Sequence, residues 1–150
     1  MRIRPLVATA LLACLLLGAS AGIASARTVE TFVVSLTGAN GGDPDGSGTA
    51  VIRLDTRTSQ VCYTITVRGI GFPTEPAPGL GAAHIHTFAT GGIFVDLETT
   101  WVGQNNAFTS TGCVDVTSAQ LSALLTAPQN YYINIHTVEF PGGALSGALA

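Results

Sequence analysis

The chain has 150 residues, 47% hydrophobic and only 10% charged, with nine acidic residues, six arginines, no lysine and a net charge of −3. That length suits one ordinary domain. A lysine-free, acidic chain with no basic stripe excludes nucleic acid and anionic lipid as partners.

The N-terminus reads as an export signal. Arg2 and Arg4 precede the apolar run "LVATALLACLLLGASAGI", and "ASA" ends at Ala26 with small residues at both cleavage-site positions. A charged region, an apolar region and an A-x-A site make residues 1–26 a signal peptide cut before Arg27. A membrane anchor is the alternative, because the run approaches the ~20 residues a span needs, but Gly18, Ser20 and Gly22 dilute it. "LLAC" loosely resembles a lipidation box at Cys14, yet the apolar run continues past that cysteine. Cleavage leaves residues 27–150 as one domain, acidic at −5 once Arg2 and Arg4 are gone. The expected protein is secreted and has no membrane attachment after cleavage. Of three cysteines, Cys14 leaves with the signal, and Cys62 and Cys113 pair in an oxidising compartment.

Period-2 alternation dominates the mature chain. "TVETFVVSLTG" (28–38) is a strand, and the Gly/Asp/Pro loop over 39–47 succeeds it. That loop resembles a fragment of a calcium loop but lacks the later carboxylates, so turn chemistry explains it. "TAVIRLD" alternates less cleanly, with Val51, Ile52 and Leu54 set against Arg53 and Asp55. "QVCYTITVRG" puts Val61, Tyr63, Ile65 and Val67 on one face. "IGFPTEPAPGLG" is a loop, "AAHIHTF" a short strand, and "IFVDLETT" and "AFTSTGCVDV" further strands. "VTSAQLSALLTAP" is the one expected helix, capped at Thr117 or Ser118, with Leu121, Leu124 and Leu125 on its apolar face and Pro128 beyond its end. "YYINIHTVEF" and "ALSGALA" form a terminal hairpin around "PGG". Eight short strands and one small helix describe a β-sandwich or barrel.

These stretches together resemble the CHRD domains, named after repeats in the developmental protein chordin. The resemblance rests on "SLTGAN", "TAVIRLD", "VCYTITVRGI", "AAHIHTF", "GGIFVDL" and "YYINIHTVEFPGGALSGAL", spread over nearly all of residues 27–150. Ala144 and Ser146 depart from it, standing where the family often carries charged residues. The resemblance implies a secreted, all-β, immunoglobulin-like antiparallel β-sandwich with one short helix. The H-x-H stretch is also similar to the copper-ligand strand of copper/zinc superoxide dismutases, themselves β-sandwiches. That enzyme class requires more histidines than the three present here, so dismutase activity is not expected.

His84 and His86 project from one face of their strand, and Tyr132, Asn134 and His136 from one face of theirs. The sequence favours a hydrogen-bond network in which His84, His86, Asn134 and Thr137 satisfy one another and no cofactor is held. The alternative is a copper or zinc site on His84, His86 and His136. Asp96 and Glu98 share a face by spacing and read as solvated charges of an edge strand. Trp101, Phe88 and Phe94 read as core rather than as an exposed platform. The expected function is that of an exported, non-catalytic module acting by binding or structural association, its partner an extracellular protein or cell-surface component.

Overall fold

The computed structural model describes residues 28–150 except Asn40; the signal-peptide reading over 1–26, with Cys14, lies outside the described residues. Nine strands form one antiparallel sheet: β1 (Val29–Thr37), β2 (Ser47–Asp55), β3 (Gln60–Arg68), β4 (Ala83–Thr87), β5 (Ile93–Asp96), β6 (Val102–Gln104), β7 (Ala107–Asp115), β8 (Tyr131–Ile135) and β9 (Leu145–Ala148). Their order is β5-β4-β8-β9-β1-β2-β3-β7-β6. β9 meets β1 in a single register pair, Thr37 with Ser146, and there the sheet curls. Residues of both halves, from Leu36 and Ile65 to Ile85 and Ile135, join one buried cluster. The fold is thus all-β, one curled antiparallel sheet with one short helix around a shared core.

The long strands β1, β2, β3 and β7 arise from β-branched alternation. In β2, Ala50, Ile52 and Leu54 are buried, while Val51 turns outward with Arg53. In β3, Val61, Tyr63, Ile65 and Val67 all face the core, as the alternation predicts. Cys62 and Cys113 sit directly opposite each other on β3 and β7 and are joined by a disulfide.

β5 is shorter than the expected strand over 93–100. The Asp96 carboxylate accepts the Glu98 N–H, and Glu98 has a left-handed φ of 49°, so the chain leaves the sheet after Asp96. β6, which the alternation does not reveal, forms a tight hairpin with β7. Asn105 and Asn106 supply its turn at φ 54° and 59°, a conformation asparagine tolerates better than most residues.

Helix α1 (Ser118–Thr126) begins with a capping box: the Thr117 hydroxyl accepts the Gln120 N–H, and the Gln120 side chain accepts the Thr117 N–H. Leu121 and Leu124 are its buried residues, and Leu125 packs at the core's edge. A 3-10 turn at Pro128–Asn130 then delivers the chain into β8. Among the described residues no helix is long and apolar enough to cross a membrane.

Candidate metal centre

β4 lies between β5 and β8, and this placement builds the site. Register pairs His84 with Asn134 and His86 with Tyr132 on β8, and His84 with Asp96 on β5. Ile85, Ile133 and Ile135 point into the core and are fully buried, each worth roughly 1.5–3 kcal/mol. Those isoleucines hold down a rigid platform. The opposite face carries His84, His86, Tyr132 and Asn134, and His136 comes just past the end of β8.

That opposite face would be open to water if nothing crossed it. Two segments roof it. The segment over 137–144 is tied by Phe140 N–H to the Thr137 hydroxyl and by Gly143 N–H to the Phe140 carbonyl. Asn134 donates its amide N–H to the Gly142 carbonyl. A side chain at Gly143, where φ is 133°, would collide with the Asn134 amide, so the "PGG" stretch needs a glycine there. The second segment is the turn between β4 and β5, closed by Gly91 N–H on the Thr87 carbonyl. Under this roof His84, His86 and His136 are 0%, 6% and 4% exposed.

The proton positions are set by the partners. A carbonyl only accepts, so His86 Nδ1 donates to the Gly91 carbonyl at 2.9 Å and His136 Nδ1 donates to the Pro141 carbonyl at 2.9 Å. Both rings therefore present Nε2 as a lone pair. His84 Nδ1 lies 3.1 Å from His136 Nε2. The Nε2 atoms of His84 and His86 are buried and, among the described residues, have no hydrogen-bond partner. One ligand atom from each imidazole falls within 4.8 Å of the others.

The expected network is found in part: two imidazoles donate to backbone carbonyls and His84 pairs with His136, but His84, His86, Asn134 and Thr137 do not bond one another. Asn134 bonds the Gly142 carbonyl, Thr137 accepts the Phe140 N–H, and two imidazole nitrogens are left unsatisfied. Such orphans are costly, about 1–3 kcal/mol each, which makes them a feature to be explained. Asp96 also departs from expectation. It accepts N–H groups from Gly81 and Glu98, and its Oδ1 lies 3.8 Å from His84 Nε2. Glu98 is exposed and off the strand, so the two carboxylates do not form a pair.

The three aromatic residues divide. Trp101 is buried in the core with its indole N–H on the Thr99 hydroxyl, and Phe94 packs partly buried against Tyr131. Phe88 stays 57% exposed and lies against Tyr132, which stacks in turn on His86.

Burial pushes the pKa of His84 down to about 4, with the neighbouring His136 adding to the effect and Asp96 opposing it. Burial also lowers His136, against the Pro141 hydrogen bond, which raises it. Both imidazoles are neutral at pH 7, the form in which histidine ligates a metal. The same shifts predict acid sensitivity. The folded pKa values lie below the unfolded value near 6.5, so the unfolded chain takes protons first as pH falls. Stability is therefore full above about pH 6.5 and declines toward pH 4, by on the order of 3 kcal/mol from His84 alone. Below pH 4 a second loss begins at Asp55, whose carboxylate is held well below the usual range chiefly by hydrogen bonds from Arg57. Denaturant midpoints of chelator-treated protein at pH 7, 5.5 and 4 should fall in that order; a flat profile to pH 4.5 would contradict burial of neutral imidazoles.

A family model of the CHRD domain matches residues 32–149. The chain belongs to the CHRD-domain family. The matched span of this CHRD domain contains Cys62, Cys113, all three histidines and the "PGG" roof. No curated protein and no solved structure matches it.

Proposed function

We propose that this CHRD domain is an exported, non-catalytic module that holds one copper or zinc ion on His84, His86 and His136 outside the cell. The observation that carries the reading is the convergence of three buried imidazoles, one ligand nitrogen from each lying within 4.8 Å of the others, with two ring nitrogens left without a hydrogen-bond partner among the described residues. An all-nitrogen set of imidazoles suits copper and zinc, and the disulfide removes Cys62 and Cys113 as rival thiolate ligands. Backbone carbonyls that fix the remote nitrogens of His86 and His136 are the usual outer partners of metal-bound histidine. The A-x-A site after the apolar leader and the disulfide both favour export.

A second observation favours association with an extracellular protein or cell-surface component. Phe88 and Val138 are 57% and 81% exposed near a groove of about 700 Å3 lined by Phe88, Tyr132 and Phe140. The two readings are compatible, because the groove adjoins the roof over the histidines.

Residues 27–150, purified without an affinity tag and stripped by chelator, should take up one zinc or copper ion per chain in competition with a chromophoric chelator. A protein that folds and takes up no stoichiometric ion would overturn the metal reading and leave the association reading.

A further inference from the structure

His84 meets hydrogen-bond acceptors on both sides. On one side is His136 Nε2, 3.1 Å from His84 Nδ1. It is a lone pair, because the only proton of a neutral His136 is committed to the Pro141 carbonyl. On the other side is Asp96 Oδ1, 3.8 Å from His84 Nε2. That carboxylate is held in place by the N–H groups of Gly81 and Glu98 and is itself an acceptor.

A neutral imidazole carries one proton and satisfies one acceptor. With the proton on Nδ1, the buried Nε2 lone pair of His84 faces a carboxylate. With the proton on Nε2, two nitrogen lone pairs face each other across 3.1 Å. A cation shared by His84 Nδ1 and His136 Nε2, with the proton on His84 Nε2 turned toward the Asp96 carboxylate 3.8 Å away, leaves no lone pair facing another acceptor.

We infer that Asp96 is a positioning residue that selects the tautomer of His84, so that the metal is held by His84 Nδ1, His86 Nε2 and His136 Nε2. This rests on the metal reading proposed above. Asp96 does not ligate; it draws the His84 proton to Nε2 and frees Nδ1. With its one proton on Nε2, His84 would offer Nδ1 as a neutral ligand, so binding there would release no net proton from this imidazole. The geometry comes from sheet register. Asp96 is the β5 partner of His84, and a bulge between Ile85 and His86 separates the pairing of the two histidines.

The test is a long-range 1H–15N correlation spectrum of the imidazoles in zinc-loaded, 15N-histidine-labelled residues 27–150. His84 should be protonated at Nε2 and zinc-bound at Nδ1, with His86 and His136 showing the reverse. Asp96→Asn should keep one zinc per chain, weaken it by about 10- to 100-fold, as loss of an outer partner does, and erode the His84 Nε2–H signal. A merely structural role for Asp96 would not change which nitrogen of His84 binds. Zinc bound with His84 ligating through Nε2, or an Asp96→Asn protein with unchanged tautomer and affinity, overturns this inference alone. Failure of the wild-type protein to take up zinc overturns the metal reading and this inference with it.

Discussion

On the three-histidine reading, His86→Ala should abolish stoichiometric zinc and copper binding, weakening affinity by more than about 100-fold. Loss of an outer hydrogen-bond partner alone costs 10- to 100-fold, and this substitution would remove one of the three proposed ligand atoms. His86 contributes the unpartnered Nε2, while its Nδ1 is committed to the Gly91 carbonyl, so no rotation of a neighbour replaces it. Cys62 and Cys113 are consumed in the disulfide. The variant should still fold, because the adjacent Ile85 and its partner Ile133 stay in the core. The cost to folding is the loss of the buried His86 ring, which stacks on Tyr132 and donates to the Gly91 carbonyl, on the order of 1–3 kcal/mol. A purely structural histidine predicts a similar fall in denaturant midpoint with metal uptake unchanged. Isothermal titration beside a denaturant curve separates the two.

The second large effect is on stability. Cys62→Ser with Cys113→Ser should lower unfolding free energy by roughly 4 kcal/mol, because the bridge closes a separation of 51 residues in the unfolded chain. That is a large share of the 5–15 kcal/mol typical of a domain. The cysteines are register partners on β3 and β7, strands paired over nine residues. The fold should therefore persist at low temperature. β3 and β7 belong to the other half of the sheet from β4 and β8, so zinc affinity per folded molecule should not change. A midpoint shift equivalent to less than about 1 kcal/mol would show that strand pairing already restricts the unfolded chain.

The long strands were legible because alternation is local. Val61, Tyr63, Ile65 and Val67 announce a core face without reference to any partner, and Thr117 with Gln120 announces a helix start. β6 was hidden because three residues carry too little period; the Asn105-Asn106 pair was its one usable signal. The candidate site was half legible. Period 2 places His84 and His86 together, but only the sheet order puts β8 beside β4 and brings in His136 across 52 residues. The relation of Asp96 to His84 depends on a bulge in the β4–β5 pairing, which alternation does not encode. The carbonyls of Gly91 and Pro141 that fix the imidazoles belong to the backbone, and no side-chain motif reports them.

The most direct measurement is anomalous diffraction at the zinc or copper edge from crystals of metal-loaded residues 27–150. One peak is expected, about 2 Å from nitrogens of His84, His86 and His136, with Asp96 outside bonding distance and facing His84 Nε2. Loaded crystals with no peak among those three imidazoles, or with the ion held elsewhere on the chain, would contradict a three-histidine centre.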